Sequence, residues 1–279
     1  MLPTKNQWKK WTLPSKMTAV GFYLAVLSII TSIISFVSIT SYEALSEQYD
    51  IYEVQPSPKM MNDQMSGNYY ERQSDISISY PQIFSYLDND FFEILNSEIE
   101  ASALGYLAEN LYEYSFSYSV GITGKHLLSV KMNQYYYYYS AANGNSSTFA
   151  INIDPLGSRV IDFYDIFDAR RDSLNGIKSL LRSKLDKQCA IFEEKYQQSS
   201  YVPRFFINEE GVEFLFSEYE VTPGVCGSFG INISFEKLVS YIKVDGPLGV
   251  LVPATGKWQA EEHFIDSITL QIQKHNSDN

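Results

Sequence analysis

Cysteine occurs only twice in 279 residues, as Cys189 and Cys226, and histidine only three times, as His126, His263 and His275. A disulfide-dense scaffold is thereby excluded. No histidine has a Cys or His neighbour at zinc-ligand spacing, so no metal site is expected there. The cysteine pair leaves two alternatives, one disulfide or two separate thiols. Positive charge is scarce as well, with 21 Lys and Arg against 33 Asp and Glu. A chain so acidic repels nucleic acid and anionic headgroups and attracts basic proteins. Also missing are a Gly-x-Ser-x-Gly elbow, a glycine-rich phosphate loop and a basic stripe. With this many carboxylates some pair always lies close, so a hydrolase cannot be read from such a pair. Neither catalysis nor a cofactor is expected.

Against these absences stands one long apolar run, Met17 to Thr40, which carries no charge across 24 positions. As a helix it would extend roughly 36 Å, enough to cross a hydrocarbon core of about 30 Å. Lys5, Lys9, Lys10 and Lys16 precede it, no acidic residue does, and Trp8 and Trp11 suit the headgroup layer. The expectation is an uncleaved transmembrane anchor with residues 1–16 as a short cytoplasmic tail and the rest extracytoplasmic. A cleaved signal peptide is the alternative, but its apolar region would be shorter and end in a small-x-small site.

Beyond the anchor, residues 41–74 contain Pro56, Pro58, Gly67 and many polar residues without a period, and read as a linker or stalk. Ile76, Ile78 and Tyr80 alternate as a strand that stops at Pro81. Asp90 and Glu93 form a capping-box pattern before Phe92, Leu95, Ile99, Ala103, Leu107 and Leu111, predicting a helix of about 20 residues. Strands follow at Phe116 to Ile122, Leu127 to Tyr139, Thr148 to Asp154 and Arg159 to Phe163, with a turn at Gly121 to Gly124. A second helix is expected over Asp172 to Gln198, with Leu174, Ile177, Leu181, Leu185, Cys189 and Phe192 on its buried face. A hairpin at Arg204 to Phe216, a strand at Ser228 to Phe235 and a short helix at Glu236 to Ile242 complete residues 75–245. This order predicts an α+β domain, an antiparallel sheet with helices packed on one face. Residues 246–279 form a C-terminal extension whose Glu261 to Lys274 stretch suits a helix.

Tyr135 to Tyr139 is an unbroken run of five among 22 tyrosines. On a strand they alternate faces, so Tyr135, Tyr137 and Tyr139 fall on one side. Tyrosine gives broad, rigid, amphipathic contact area for a protein or a sugar, although strand propensity and core packing alone would also favour such a run. Asn143, Gly144 and Asn145 form a polar hairpin tip, a place where binding residues tend to sit. Asp162, Asp165 and Asp168 recur every three residues, but a calcium loop needs denser oxygen ligands and a turn glycine.

The ordered set Ile94 to Glu100, the tyrosine strand into Tyr139 to Gly144, Ile151 to Asp154, Asp165 to Phe167, Phe205 to Phe216, Glu218 to Pro223 and Gly227 resembles a known family. That family is the extracytoplasmic domain of RsiV-type anti-sigma factors, also found beside PdaC-type peptidoglycan deacetylases. The resemblance spans roughly residues 75–245. It implies a non-catalytic domain of the bacterial cell envelope, and in RsiV-type members one that binds and senses lysozyme. Ligand contact is then expected from Tyr135, Tyr137, Tyr139, Asn143 and Asn145 on the hairpin and from Tyr219 and Glu220 on the Glu218 to Gly227 loop. The alternatives are a domain that binds or enzymatically modifies cell-wall glycan, or a scaffold that holds a neighbouring membrane protein. Two departures stand out. Where the family often carries Gly-Gly-Ala-His-Gly, this chain has Ser140, Ala141, Ala142, Asn143 and Gly144, without the histidine. The 16 residues before the span are also too few for the helical domain that grips a sigma factor.

Overall fold

The computed structural model describes residues 9–10, 12, 24–25, 28–29, 31–32, 49–57, 75–85, 89–108, 110–139 and 141–249. The chain divides into two compact units, residues 1–48 and 49–279. In the first, Leu24, Ala25, Ser28, Ile29, Thr31 and Ser32 are helical, and the rest of the apolar run lies outside the described residues. Among the described residues no helix is long and apolar enough to cross a membrane. His263, His275 and the expected C-terminal helix also lie outside them.

The second unit is α+β and, among the described residues, holds three sheets. Strands β1 (Tyr49–Val54) and β3 (Tyr80–Ser85) form an antiparallel pair. A five-stranded sheet runs in the order β2 (Asp75–Ile78), β4 (Leu111–Gly124), β5 (Leu127–Tyr138), β6 (Asn145–Asp154) and β7 (Arg159–Val160). Only its β2–β4 pair is parallel. The third sheet is β10-β9-β8, from β8 (Arg204–Asn208), β9 (Gly211–Phe216) and β10 (Phe229–Ser234). The helices are α1 (Asn89–Leu104), α2 (Phe163–Ile166), α3 (Ser173–Gln188), α4 (Glu193–Gln197) and α5 (Phe235–Leu238).

The two longer helices expected within residues 75–245 end early, for identifiable reasons, and the short one expected at Glu236 to Ile242 runs Phe235–Leu238. α1 begins at Asn89, which puts Asp90 inside its first turn rather than at a cap, and stops at Leu104 before Gly105. Leu107 and Leu111 keep the helical spacing because both are buried in the same core as α1, one from the turn and one from β4. α3 stops at Cys189, which leaves the helix to form a disulfide with Cys226. The chain resumes as the short α4, and Phe192, expected on the buried face, is exposed. The turn expected at Gly121 to Gly124 is strand instead, and the chain reverses at Lys125-His126. β1 lies inside the expected linker, and Pro81 sits within β3, where a strand of a two-stranded sheet tolerates a missing N–H.

Two cores replace the single sheet with helices on one face. In one, Leu95, Ile99 and Ala103 of α1 meet Tyr114, Phe116, Val130, Met132 and Ile153 of the large sheet. The Asn96 side chain clamps this helix to β3 by bonding both the N–H and the C=O of Ile83, each at 2.8 Å. In the other, Ile177, Leu181 and Leu185 of α3 face Phe205, Ile207, Val212, Phe214, Ile231 and Ile233 of the small sheet. Burying each such side chain is worth about 1.5–3 kcal/mol.

The sheets are joined through the outer edge of β8. The Ile207 N–H donates to Ser129 Oγ at 2.9 Å, and the Phe205 carbonyl accepts from Asn152 Nδ2 at 2.8 Å. Ser129 in turn donates to Asn152 Oδ1. An edge that would otherwise offer unpaired backbone groups is thus capped by two side chains of β5 and β6. Close approach is allowed by Gly121, where an added Cβ would lie 2.0 Å from the Ile207 oxygen.

Candidate functional site: a tyrosine shelf beside an acidic loop

Strand parity divides the tyrosine run. Tyr136 and Tyr138 turn toward α1, where Tyr106 stacks on Tyr136 at 4.5 Å and receives at its carbonyl the Tyr138 hydroxyl. Beneath them Gln134 donates to the hydroxyl of Tyr114, which donates to the Ala103 carbonyl at the end of α1. Burial pushes the Tyr114 phenol up to about 12, so it stays a donor.

Tyr135, Tyr137 and Tyr139 share the opposite face with Ser129, Lys131 and Asn133. The small sheet covers that face only in part. Lys131 ends beneath it, paired with Glu213 at 2.6 Å and lying over the Phe206 ring. Past Lys131 the tyrosines emerge, joined by one more. The β4–β5 register skips from Leu111↔Tyr138 to Glu113↔Tyr137, so Tyr112 is the extra residue of a bulge. Its ring meets Tyr137 edge-on at 5.6 Å and Tyr139 at 5.0 Å. Tyr112 and Tyr139 are 42% and 48% exposed, which makes them a solvent-facing shelf and not core.

The hairpin tip supports this shelf. The Tyr135 ring lies against Gly144, where a Cβ would fall 2.2 Å from the phenolic oxygen. Asn143 is exposed at the tip. Asn145, however, pairs with Tyr136 and belongs to the α1 face, so it does not join Tyr135, Tyr137 and Tyr139 as expected. Ser146, one residue on, is the cross-strand partner of Tyr135.

Ser146 is also the link to the loop after β9. Its hydroxyl donates to Glu218 Oε1 at 2.7 Å and accepts from the Ser228 N–H at 2.9 Å. The loop is fixed from three further directions. Ser217 Oγ accepts from the Thr148 N–H and donates to the Thr148 carbonyl, both at 3.1 Å. Glu220 accepts from the Ser217 N–H and pairs with Arg204. The Cys189–Cys226 disulfide, with Cα atoms 6.1 Å apart, ties the loop to the end of α3. Glu220, expected at the ligand, is therefore a brace for the loop. Tyr219 is exposed with φ 60°, and its ring lies on Gly224 of the same loop. The carboxylate brought to the tyrosines is that of Glu218.

Electrostatics agree with the geometry. The Tyr135 hydroxyl is held above its ordinary range first by burial, then by the neighbouring Glu113, Tyr137 and Glu218. Burial, Tyr106 and Glu218 do the same for Tyr136. The shelf is thus aromatic and bordered by the carboxylates of Glu113 and Glu218.

The three aspartates spaced by three do not converge. Asp165 accepts from the Asp162 N–H and pairs with Arg159 at 2.9 Å; although burial opposes it, these bonds hold its carboxyl below the usual range. Asp168 is held by Arg170 and Arg171, the Arg170 hydrogen bonds lowering its pKa most. Among the described residues no group of three or more His, Cys, Asp or Glu could hold a metal ion. His126 faces Asp154, whose carboxylate also accepts from the Gly157 N–H and lies near Arg159.

Sequence reasoning missed Tyr112, Glu113, Ser146 and Ser228. A signal existed for Glu113 and Ser146, in strand parity across the hairpin. None existed for Tyr112, because a bulge is visible only against its partner strand.

With this geometry in hand, residues 164–236 match the profile of a family described as protein of unknown function (DUF3298). The match includes Tyr219 and Glu220 but not the β5–β6 hairpin. No curated protein matches the chain. Among solved structures, a member of the DUF3298 family from Bacteroides fragilis shares 18% identity at a TM-score of 0.45, covering 71% of this chain and 94% of that one. A DUF3298 family protein from Pseudomonas aeruginosa PAO1 shares 12% identity at a TM-score of 0.42 with the same coverage.

Proposed function

We propose that this chain is an envelope protein anchored by Met17 to Thr40, with its N-terminus in the cytoplasm, whose extracytoplasmic domain binds a basic protein on the tyrosine shelf. The reading is of a binding and sensing domain of RsiV type and not of an enzyme, with lysozyme as the ligand that the family resemblance suggests. The observation that carries it is the cluster of exposed Tyr112 and Tyr139 packed on half-buried Tyr137, with Glu113 and Glu218 beside Tyr135. Such rings accept lysine and arginine side chains on their faces, and the surrounding carboxylates and the net charge of −12 steer a basic partner toward them.

Calorimetric titration of the full chain in detergent micelles with a chicken-type lysozyme tests this reading. An equally basic unrelated protein serves as control, at low and at physiological salt. One-to-one binding that weakens with salt but survives about 0.15 M, and is absent with the control, is expected. Equal binding to both proteins, or complete loss at that salt, reduces the interaction to charge attraction.

A second reading, cell-wall glycan, has one observation in its favour. Ser115 and Ser117 pair with Tyr135 and Asn133, so exposed hydroxyls continue the tyrosine face along β4. Sugar rings stack on tyrosine and bond hydroxyls. Retention of the protein on purified peptidoglycan, lost with the exposed tyrosines, would favour it.

A further inference from the structure

On its β7 side, β6 leaves part of its outer edge unpaired. The strand is ten residues long, but β7 pairs only with Ile153 and Asp154. Beyond β7 two plugs close it. The Ile161 N–H donates to the Asn152 carbonyl at 2.7 Å, and Ser217 Oγ serves both backbone groups of Thr148. Outward-facing residues alternate along a strand, so Ala150 lies between the plugs with its N–H and C=O turned away from β5. Among the described residues neither group has a partner on that side.

A cavity of about 350 Å3 opens at this point. Leu95, Ile151, Val160, Ile161, Phe163 and Val202 give it an apolar wall, and Glu98 and Asp162 stand at it as exposed carboxylates. Among the described residues neither carboxylate is in an ion pair, whereas the one cation lining the cavity, Arg204, is committed to Ser217 and Glu220.

We propose that this slot binds a short extended peptide segment of a partner protein. One peptide residue pairs its backbone N–H and C=O with those of Ala150 and places a large apolar side chain in the cavity. Lysine or arginine two positions to either side, on the same face of the extended peptide, meets Glu98 and Asp162. Backbone pairing supplies the orientation, the cavity selects the apolar residue, and the carboxylates select basic flanks. This site is separate from the tyrosine shelf.

The test uses the full chain in detergent micelles and a fluorescein-labelled peptide Lys-Thr-Leu-Thr-Lys, read by anisotropy. Saturable one-to-one binding is expected. N-methylation of the central leucine, which removes the donor to the Ala150 carbonyl, should weaken it at least about fivefold. Val160→Trp narrows the cavity from a half-exposed position, and should abolish binding with the circular dichroism unchanged. Glu98→Lys, on the exposed side of α1, should weaken this peptide and improve a Glu-Thr-Leu-Thr-Glu peptide. Equal affinity for the N-methylated peptide, or binding indifferent to Val160→Trp, overturns the proposal. Binding that appears only after removal of residues 250–279 would show the chain's own C-terminal segment in the slot and overturn a partner as its occupant.

Discussion

Gly121 shows how one position decides whether the two sheets can meet. Its missing Cβ lets β4 pass under the β8 edge, and a methyl group there would lie 2.0 Å from the Ile207 oxygen and 2.7 Å from the Phe206 ring. Neither neighbour can yield easily, since one is backbone and the other is buried. Gly121→Ala is expected to lower stability by roughly 1–3 kcal/mol, read as a shift of the urea midpoint, by forcing the sheets apart. An unchanged midpoint would show that the β8 contact is looser than these distances. Asn145 and Ser146 teach a related lesson. The sequence placed a polar residue at the right tip, but a one-residue difference in register exchanges the faces of a strand. Asn145 therefore points to α1, and Ser146 reaches Glu218.

Among the elements, the loop from Ser217 to Ser228 is the one that the site depends on. Its irregular backbone is held by the Ser217 bonds to Thr148, by Glu220 with Arg204, and by the disulfide. Replacing Cys189 and Cys226 with serine is expected to lower stability by about 2–4 kcal/mol in urea unfolding. It should also weaken binding at the shelf, because Glu218 loses one of its anchors; unaltered stability and binding would leave the hydrogen bonds as sufficient support. Strands were legible here because alternation repeats every two residues, as in Leu127 to Tyr138. Helix ends were not, because Leu107 and Leu111 preserve helical spacing while lying in a turn and a strand. Tyr112 was legible as an aromatic residue but not as part of the shelf, since its bulge is defined only by the register opposite Tyr137 and Tyr138.

For the molecule as a whole, the α+β class followed from runs of strands broken by two helices. Division into three sheets did not follow, because parallel β2–β4 pairing and the β8-edge junction rest on contacts far apart in sequence. The same architecture buries many phenols, and that has a consequence for pH. Burial pushes Tyr49, Tyr80 and Tyr114 each up to about 12. The folded state therefore favours the neutral phenols, and their contribution is complete below the ordinary tyrosine range near 10. As pH rises from there toward 12 the unfolded chain loses protons first, so stability should fall steadily over that window. Thermal unfolding followed at pH 9, 10 and 11 checks the sign; a midpoint that holds steady to pH 11 would mean that these rings are wetter than the structure indicates.

The exposed tyrosines are the proposed binding surface for a basic protein. The most direct measurement is a lysozyme titration at physiological salt of the full chain beside the Tyr112→Ala, Tyr139→Ala double variant. Both side chains are about half exposed, so the double variant should unfold within about 1 kcal/mol of the parent. Its affinity should fall by at least tenfold, as expected when aromatic anchors are lost from an interface. Equal affinity for parent and variant, with both folded, would contradict the account.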